Sequence, residues 1–362
     1  MKTNANPRQL QPIRVMLVDD SPLSLELFRR MLATDPEIIV AGTARNGNDA
    51  LAQLDAISPD VICTDLHMPG MDGVTLTREV MQRCPLPILV MSTSLQKNQT
   101  ENIFAMLEAG AVDILAKPLG GIEMDFESMA RDLIMKIKVL SGVKVIRRQT
   151  AGRIQQPGTL KQGYRRSGLP KVDPRIVCIG SSTGGPQALE AILQALPADY
   201  PLPIVCVQHI AQGFLDSMVN WLATNARIRI TTARPGMRPE GGVVYFPVDD
   251  RHLEIDQDGR FRCSALPAVG GHRPSVDLAM SSIARYYWDA SVGVLLTGMG
   301  QDGAQGLLEI SRAGGFTIAQ DEATSLVFGM PRVAIELGAT RAILPLQDIA
   351  GVLIDLSGGC LP

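Results

Sequence analysis

Three carboxylates and a lysine are the first residues along the chain whose types and placing suggest chemistry. Asp19, Asp20, Asp65 and Lys117 each stand just after a short apolar run. If those runs are strands of one parallel sheet, the four side chains meet at the edge formed by the strands' carboxyl ends. Clustered carboxylates repel one another unless a cation lies between them, and an all-oxygen ligand set favours Mg²⁺ over zinc. The pattern predicts magnesium-assisted chemistry, although a single Asp at such a turn is also typical of a helix N-cap.

A serine in a glycine-rich turn is the second candidate. Residues 180–184, GSSTG, follow the apolar run 176–179 and precede a segment with helical apolar spacing. They match the G-x-S-x-G pattern, in which a sharp strand-to-helix turn exposes a serine beside backbone N–H donors. Ser182 is therefore the candidate nucleophile. A phosphate-binding loop is one alternative, but its lysine and its G-x-G-x-x-G spacing are both missing; a simple turn is the other.

A serine nucleophile needs a general base, most often a histidine. The chain contains four histidines, His67, His209, His252 and His272. His209 follows the apolar run 203–207 after one residue, which places it at the same predicted sheet edge as Ser182. His252 lies in an alternating stretch typical of a surface strand. His272, in a GGHRPS loop, stays an alternative base.

The acid that orients this histidine should lie at the same edge. The apolar run 292–296 leads into TGMGQDG, whose glycines allow close backbone approach and whose acid is Asp302. Asp277, Asp321 and Glu322 are alternatives that spacing does not exclude. The chain order Ser, His, Asp differs from the Ser, acid, His order of the α/β-hydrolases, so that superfamily is not the match.

Apolar runs that alternate with amphipathic segments must position these residues. In both halves of the chain the alternation predicts an α/β fold, with mainly parallel, doubly wound sheets covered by helices on both faces. The first helix is predicted to start at Ser21 as N-cap and Pro22 in the first turn. Its apolar face is predicted to contain Leu23, Leu27, Phe28 and Met31.

Basic residues are concentrated in one stretch between the two halves of the chain. Residues 133–172 contain ten Lys or Arg and no Asp or Glu, whereas the formal net charge of the whole chain is -3. This stretch loses apolar periodicity and contains Gly, Gln, Ser and Pro, as an extended linker does; a polyanion-binding patch is the alternative. The predicted organisation is a first domain at 13–135, a basic linker at 136–171 and a second domain at 172–362.

Composition narrows the function classes. Of the 362 residues 46% are apolar and 4% aromatic, which excludes a disordered chain. Two acidic domains with few stacking aromatics argue against nucleic-acid binding. Because no apolar run suits a membrane span or a signal peptide, we expect a cytoplasmic location without membrane insertion. The six cysteines form no CxxC pair and are expected to be reduced thiols without function.

Four segments of the first domain, LVDDSP, CTDLHMPGMDG, VMSTS and LAKP, together resemble the receiver domain of bacterial two-component response regulators. The resemblance implies a flavodoxin-like fold and phosphorylation of Asp65 by a histidine kinase. It also implies that Asp19, Asp20 and Asp65 hold Mg²⁺ and that Ser92 and Lys117 contact the phosphoryl group. Mg²⁺ and an ammonium group neutralise phosphoryl oxygens while the carboxylate attacks in line.

One receiver position departs from the family pattern. Three residues before Lys117, where receivers usually have Tyr or Phe, this chain has Ile114. We expect this departure to weaken signal transmission through that position.

Five segments of the second domain, IGSSTGGPQAL, VQHI, HRPSVD, LLTGMGQDGA and AQDEATSLVFGMPRVA, resemble the methylesterase domain of chemotaxis protein-glutamate methylesterases. The resemblance implies a Rossmann-like esterase domain with the triad Ser182, His209 and Asp302. It implies an oxyanion hole formed by the backbone amides of Thr183 and Met299. Because QHIAQGF replaces the family's usual QHMPPGF, we expect altered substrate contacts near His209.

Together the two resemblances imply a phosphorylation-activated serine hydrolase of chemotaxis adaptation. It would demethylate glutamate methyl esters on chemoreceptors, release methanol and also deamidate glutamines. A chemotaxis histidine kinase would donate the phosphoryl group with Mg²⁺, and ester hydrolysis would need no cofactor. The alternative from another class is a non-catalytic response regulator that binds a partner through its second domain; the presence of all three triad residues argues against it.

Overall fold

The structure of the protein is a computed structural model. It describes residues 11–93, 97–117, 126–143, 145 and 173–358, with the side chains of 97–102 left out. The chain divides into two compact units, and each is described by itself. No helix in these ranges is both long enough and apolar enough to cross a membrane.

Strands and helices alternate in the first part of the chain. They are β1 Ile13–Val18, α1 Pro22–Leu32, β2 Ile38–Ala44, α2 Gly47–Ile57, β3 Val61–Asp65, α3 Gly73–Arg83, β4 Ile88–Ser92, α4 Lys97–Ala109, β5 Asp113–Ala116 and α5 Phe126–Ser141. The five strands form one parallel sheet in the order β2-β1-β3-β4-β5. Its central strands are buried along their length, as a sheet covered on both faces requires.

Helix α1 begins at the predicted residue but differs on its apolar face. Ser21 is the N-cap, and its hydroxyl accepts a hydrogen bond from the amide of Ser24. Pro22 occupies the first turn. The placement of Leu23 on the apolar face is wrong, because its side chain is 79% exposed while Phe28 is buried. At 3.6 residues per turn, Leu23 lies about 140° around the helix from Phe28.

Helix α5 enters the stretch predicted as a linker. It runs to Ser141, and Ile137 and Leu140 near its end are fully buried. Apolar helical spacing therefore continues past residue 135, and residues 136–141 are helical. Most of the remaining stretch lies outside the described residues, so its role as a linker stays a prediction.

The second unit contains the larger sheet. Its elements are β6 Ile176–Ser181, α6 Gly185–Ala195, β7 Ile204–Gln208, α7 Leu215–Asn225, β8 Arg229–Thr232, β9 Val243–Phe246, β10 His252–Ile255, β11 Phe261–Ser264, α8 Val276–Tyr287, β12 Ser291–Leu295, α9 Ala304–Arg312, β13 Phe316–Gln320, α10 Met330–Glu336, β14 Ala342–Leu344 and α11 Leu346–Leu356. Seven strands form a parallel sheet in the order β14-β13-β12-β6-β7-β9-β8. Strands β10 and β11 form a separate antiparallel pair. This confirms the predicted α/β class.

Strand β6 lies where the order of the strands in this parallel sheet reverses. It pairs with β7 on one side and with β12 on the other, and the sheet then grows outward in both directions. In such sheets a crevice opens at the carboxyl ends of the strands that flank the reversal. Ser182, His209 and Asp302 follow β6, β7 and β12 respectively. The topology thus brings the three sequence candidates to one edge.

Candidate active site

Three carboxylates meet at the carboxyl edge of the first sheet. Asp19 and Asp20 follow β1, and Asp65 ends β3; the two strands pair in parallel, with Val18 opposite Thr64. One oxygen from each carboxylate lies within 4.8 Å of the others. Asp19 is fully buried and Asp20 is exposed. The parallel register of β1 and β3 therefore builds the predicted acidic cluster.

Lys117 lies against this acidic cluster. Its Nζ is 2.6 Å from Asp19 Oδ2 and 2.7 Å from Asp65 Oδ2, and its amide donates to the carbonyl of the buried Ser92. The Lys117 ammonium group is therefore a charged partner for both carboxylates. Burial raises the pKa of Asp19, although Lys117 and the Ser21 amide lower it. Three carboxylate oxygens this close together form an all-oxygen donor set, which fits the ligands that Mg²⁺ prefers.

The turn between β6 and α6 presents Ser182. The carbonyl of Ser182 accepts a hydrogen bond from Gly185 N at 2.8 Å. Gly184 has a φ of +75°, which favours glycine. A Cβ on Gly185 would lie 2.0 Å from Gln208 Oε1. The turn therefore needs both glycines, and it leaves the Ser182 side chain half-buried.

His209 lies beside this turn because Ser181 stands opposite Gln208 in the β6–β7 register. The His209 amide donates to the Ser181 carbonyl at 3.0 Å. Gln208 joins the strand ends: Oε1 accepts from Ser181 Oγ at 2.6 Å, and Nε2 donates to the carbonyls of Ser182 and His209 at 2.8 and 2.7 Å. Gln208 is not among the residues predicted from the sequence. Gln208 could have been detected as a polar residue at the end of an apolar strand, directly before the candidate base. A buried polar group requires hydrogen-bond partners, so such a residue is expected to join neighbouring backbone groups.

Asp302 reaches His209 from the loop between β12 and α9. Its Oδ2 accepts hydrogen bonds from His209 Nε2 at 2.8 Å and Val276 N at 2.7 Å, and its Oδ1 accepts from Ser275 Oγ at 2.9 Å and Asp277 N at 3.0 Å. These last three donors open helix α8, so the carboxylate also lies at the positive end of the helix dipole. Burial alone would raise the pKa of Asp302, but the hydrogen bond and charge of His209 and the amides outweigh it and hold that pKa below its ordinary value.

The bond to Asp302 determines the state of the second ring nitrogen of His209. An ionised carboxylate only accepts, so Nε2 carries the proton and Nδ1 keeps a lone pair. Nδ1 is buried and has no hydrogen-bond partner in the described part of the chain. An unpaired buried acceptor costs about 1–3 kcal/mol. The site therefore holds a ring nitrogen whose lone pair is not used by a hydrogen bond within the described residues.

Comparison with known proteins gives the family. Residues 15–125 match the response regulator receiver domain and residues 177–353 match the CheB methylesterase. Protein-glutamate methylesterase/protein-glutamine glutaminase 2 of Anaeromyxobacter dehalogenans is 43% identical to this chain, over 96% of this chain and 98% of its own length. Protein-glutamate methylesterase/protein-glutamine glutaminase 1 of Syntrophus aciditrophicus is 38% identical, over 97% of this chain and 100% of its own. The chain belongs to this family.

Membership of the protein-glutamate methylesterase/protein-glutamine glutaminase family confirms that the chain is an enzyme with a receiver domain and a methylesterase domain. Among solved structures, the catalytic domain of Thermotoga maritima CheB methylesterase is 38% identical. It covers 51% of this chain and 100% of its own, with a TM-score of 0.49.

In the methylesterase domain, His252 has a structural place. The expectation of a surface strand is wrong, because helix α8 packs against β10 and His252 is fully buried. Its Nε2 lies 3.2 Å from the Pro267 carbonyl, and its Nδ1 accepts a hydrogen bond from the Ser275 amide at 3.2 Å. His252 therefore holds the two ends of the 267–275 loop.

The alternative acids of the methylesterase domain have other partners. Asp321 Oδ1 accepts hydrogen bonds from the amide and hydroxyl of Thr324 and stabilises its own turn. Glu322 is exposed. The carboxylate of Asp277 binds amides of helix α9. Among these three acids and Asp302, the hydrogen bonds of the described residues link Asp302 to the candidate base.

The ring of His272 stacks on the ring of His209. The ring centroids are 3.9 Å apart and the ring planes differ by 5°. The two histidines that are candidate bases therefore lie next to one another. The hydrogen bond from Nε2 to Asp302 favours His209 as the base.

Gly298 allows the loop after β12 to lie directly against Ser182. A Cβ at position 298 would lie 2.8 Å from Ser182 Cβ and 2.2 Å from Met330 Sδ. The Gly298 carbonyl accepts a hydrogen bond from the Met330 amide at 2.9 Å, which holds this approach. Thr183 follows Ser182 in sequence and Met299 follows Gly298, so their relation as an oxyanion hole stays a prediction.

The substitution Gly298→Ala tests this contact. Overpacking is expected to lower the free energy of unfolding by about 1–3 kcal/mol and to reduce hydrolysis, because Ser182 must shift. Thermal unfolding and hydrolysis by the full chain measure the two effects. Gly236→Ala is the matched control, since a Cβ there meets nothing within 4 Å and a φ of +82° adds backbone strain alone. A Gly298→Ala variant with wild-type stability and turnover would show that the loop does not constrain Ser182.

In the receiver domain, Ile114 occupies the position where the family pattern has an aromatic residue. Its side chain is 3% exposed and lies opposite Val90 in the β4–β5 pair. A buried aliphatic side chain therefore fills this position, and its effect on signal transmission stays a prediction.

The strand cysteines are buried thiols. Burial raises the pKa of Cys63 to about 12 and also raises the pKa values of Cys178 and Cys206. A raised thiol pKa disfavours the reactive thiolate, in keeping with the prediction that these residues have no chemical role. Cys360 lies outside the described residues.

Proposed function

We propose that this chain demethylates glutamate methyl esters on chemoreceptors, releases methanol, deamidates glutamines, and does so faster when its receiver domain is phosphorylated. The hydrogen-bonded pair of His209 and Asp302 beside the Ser182 turn carries the proposal. Relatives named for both activities support it, since their similarity extends over nearly the whole chain.

In the proposed mechanism, Ser182 Oγ attacks the ester carbonyl carbon while His209 Nδ1 takes its proton. Asp302 keeps Nε2 protonated and stabilises the resulting imidazolium. The amides of Thr183 and Met299 donate hydrogen bonds to the oxyanion. His209 then returns the proton to the leaving methoxide, and methanol departs. Water, deprotonated by His209, cleaves the acyl-enzyme to give glutamate and free Ser182; with a glutamine substrate, ammonia leaves in place of methanol.

In the receiver domain we propose Asp65 as the residue that accepts the phosphoryl group from a histidine kinase. Asp19, Asp20 and Asp65 would hold Mg²⁺, which when bound neutralises phosphoryl oxygens. Lys117 already pairs with Asp65 and would bind the phosphoryl group with Ser92. The three carboxylate oxygens, which lie within 4.8 Å of one another, support this assignment.

Phosphorylation is expected to raise methanol release by about 5- to 150-fold, the range that a coupling of about 1–3 kcal/mol allows. The full chain is incubated with a methylated chemoreceptor, with and without Mg²⁺ and a small phosphodonor, and methanol is measured. Asp65→Asn should keep the basal rate and lose the response. Asp72→Asn is the matched control, because Asp72 caps helix α3 through an oxygen that Asn retains.

Two results would contradict the proposal. If Asp65→Asn responds to the phosphodonor as the wild type does, Asp65 is not the acceptor. If the wild-type chain binds the receptor but releases no methanol in either state, the non-catalytic regulator is the better description.

A further inference from the structure

Asp277 is a half-buried acid that the proposed mechanism does not use. It is the second residue of helix α8, and its Oδ1 accepts hydrogen bonds from the amides of Gly303 at 2.9 Å and Gly306 at 2.6 Å. These amides open helix α9, whose N-cap is Gly303 and which has no side-chain cap of its own. The cap of α9 therefore comes from a neighbouring helix, where an anionic acceptor is favoured.

The arrangement is reciprocal. Asp302 directly precedes Gly303, and its carboxylate binds the start of α8, including the Asp277 amide at 3.0 Å. Each of the two acids thus binds the N-terminus of the helix to which the other is attached. Two sets of hydrogen bonds therefore fix Asp302 relative to α8. One set is made by the Asp302 carboxylate itself, and the other joins the Asp277 carboxylate to the α9 start, where Gly303 directly follows Asp302.

Close packing supports this exchange. A Cβ on Gly306 would lie 2.9 Å from the Asp277 carbonyl, and one on Gly303 would lie 2.6 Å from Val276 Cγ1. Only glycine at both positions lets the two helix ends approach so closely. Burial, and then the charge of Asp302, raises the pKa of Asp277, so an acid at this place carries an electrostatic cost. An apolar side chain would avoid that cost but would leave two amides without an acceptor.

We propose that Asp277 is a positioning residue, which orients Asp302 toward His209 by holding the backbone at Gly303 and Gly306. The inference rests on the proposed function, in which Asp302 orients the base. A misplacement of about 1 Å in such a site costs about 10²-fold in rate. Asp277→Ala should therefore lower kcat by about 10- to 100-fold and leave KM within about 3-fold. Asp277→Asn retains the Oδ1 acceptor and should stay within about 3-fold of the wild type.

A double-mutant cycle separates positioning from simple helix capping. If Asp277 acts through Asp302, Asp277→Ala should cost less than about 2-fold in an Asp302→Ala background. An equal loss in both backgrounds would overturn the proposal. Asp256→Ala is the matched control, because Asp256 also accepts two amide bonds of 2.9 Å, but from a turn next to β10. It should keep full kcat.

A spectroscopic readout keeps this inference distinct from the proposed function. The Nε2 proton that His209 donates to Asp302 should give a downfield imidazole resonance in the NMR spectrum of the full chain. That resonance should persist in Asp277→Asn and shift or disappear in Asp277→Ala. If Asp277→Ala does not fold, Asp277→Glu, which displaces the carboxylate by one methylene, replaces it. If the resonance is unchanged in Asp277→Ala, Asp277 does not position Asp302. If the wild-type chain releases no methanol, the proposed function is wrong, whatever the resonance shows.

Discussion

Replacement of Ser182 by alanine is expected to lower kcat for methyl ester hydrolysis by about 10⁴-fold or more, the scale on which loss of a serine nucleophile acts in hydrolases. The free energy of unfolding should change by less than about 0.5 kcal/mol. The reason is that the turn depends on the Ser182 backbone and on the glycines after it, which alanine leaves intact. Methanol release and thermal unfolding of the full chain give the two values.

The neighbouring Ser181 provides a matched control for this experiment. Its hydroxyl donates to Gln208 at 2.6 Å and is fully buried. Ser181→Ala should therefore cost about 1 kcal/mol of stability, as loss of one hydrogen bond does, while most of the activity remains. An active Ser182→Ala variant would exclude Ser182 as the nucleophile, and an inactive Ser181→Ala variant of normal stability would contradict the prediction for Ser181.

Replacement of His209 by glutamine should lower kcat by about 10²- to 10⁴-fold, the usual contribution of a general base. Glutamine can still reach Asp302 with an amide N–H, but it has no nitrogen that accepts a proton at neutral pH. The loss should appear in kcat rather than in KM, because the base acts in the transition state.

His272→Gln is the control for this prediction, since the two rings stack on one another. It removes the neighbouring imidazole but leaves the bond between His209 and Asp302, so the expected loss is below about 10-fold. If His272→Gln lowered kcat more than His209→Gln does, His272 would be the base and His209 would only pack against it.

The ends of the strands at the candidate active site were predictable from sequence. The apolar runs before Ser182 and His209 are long enough to be buried strands, and parallel pairing alone then puts both residues at one edge. The acid was not predictable in the same way. Asp277 and Asp302 both lie near this edge, and which of them reaches His209 depends on how α8 packs on α9. Such a choice between two acids is made by tertiary contacts that spacing does not encode.

Local patterns were wrong where neighbouring elements changed the surroundings of a residue. His252 lies in an alternating stretch, yet α8 packs over the strand and buries it. The contact between Gly298 and Ser182 could not be predicted either, because a glycine in sequence shows freedom of the backbone and not which atoms approach it. Gln208 was detectable only as a polar exception at the end of an apolar strand.

The central place of β6 has a consequence for the order of events during synthesis. Its pairing with β12 joins distant parts of the chain: Thr297 binds Thr183 across 114 residues, and Asp302 binds His209 across 93. Contacts of such large separation close late, whereas N-terminal domains fold as units while the ribosome is still adding residues. All five strands of the receiver sheet have been translated well before Asp302 exists. The receiver sheet is therefore fully synthesised before the loop that contains Asp302.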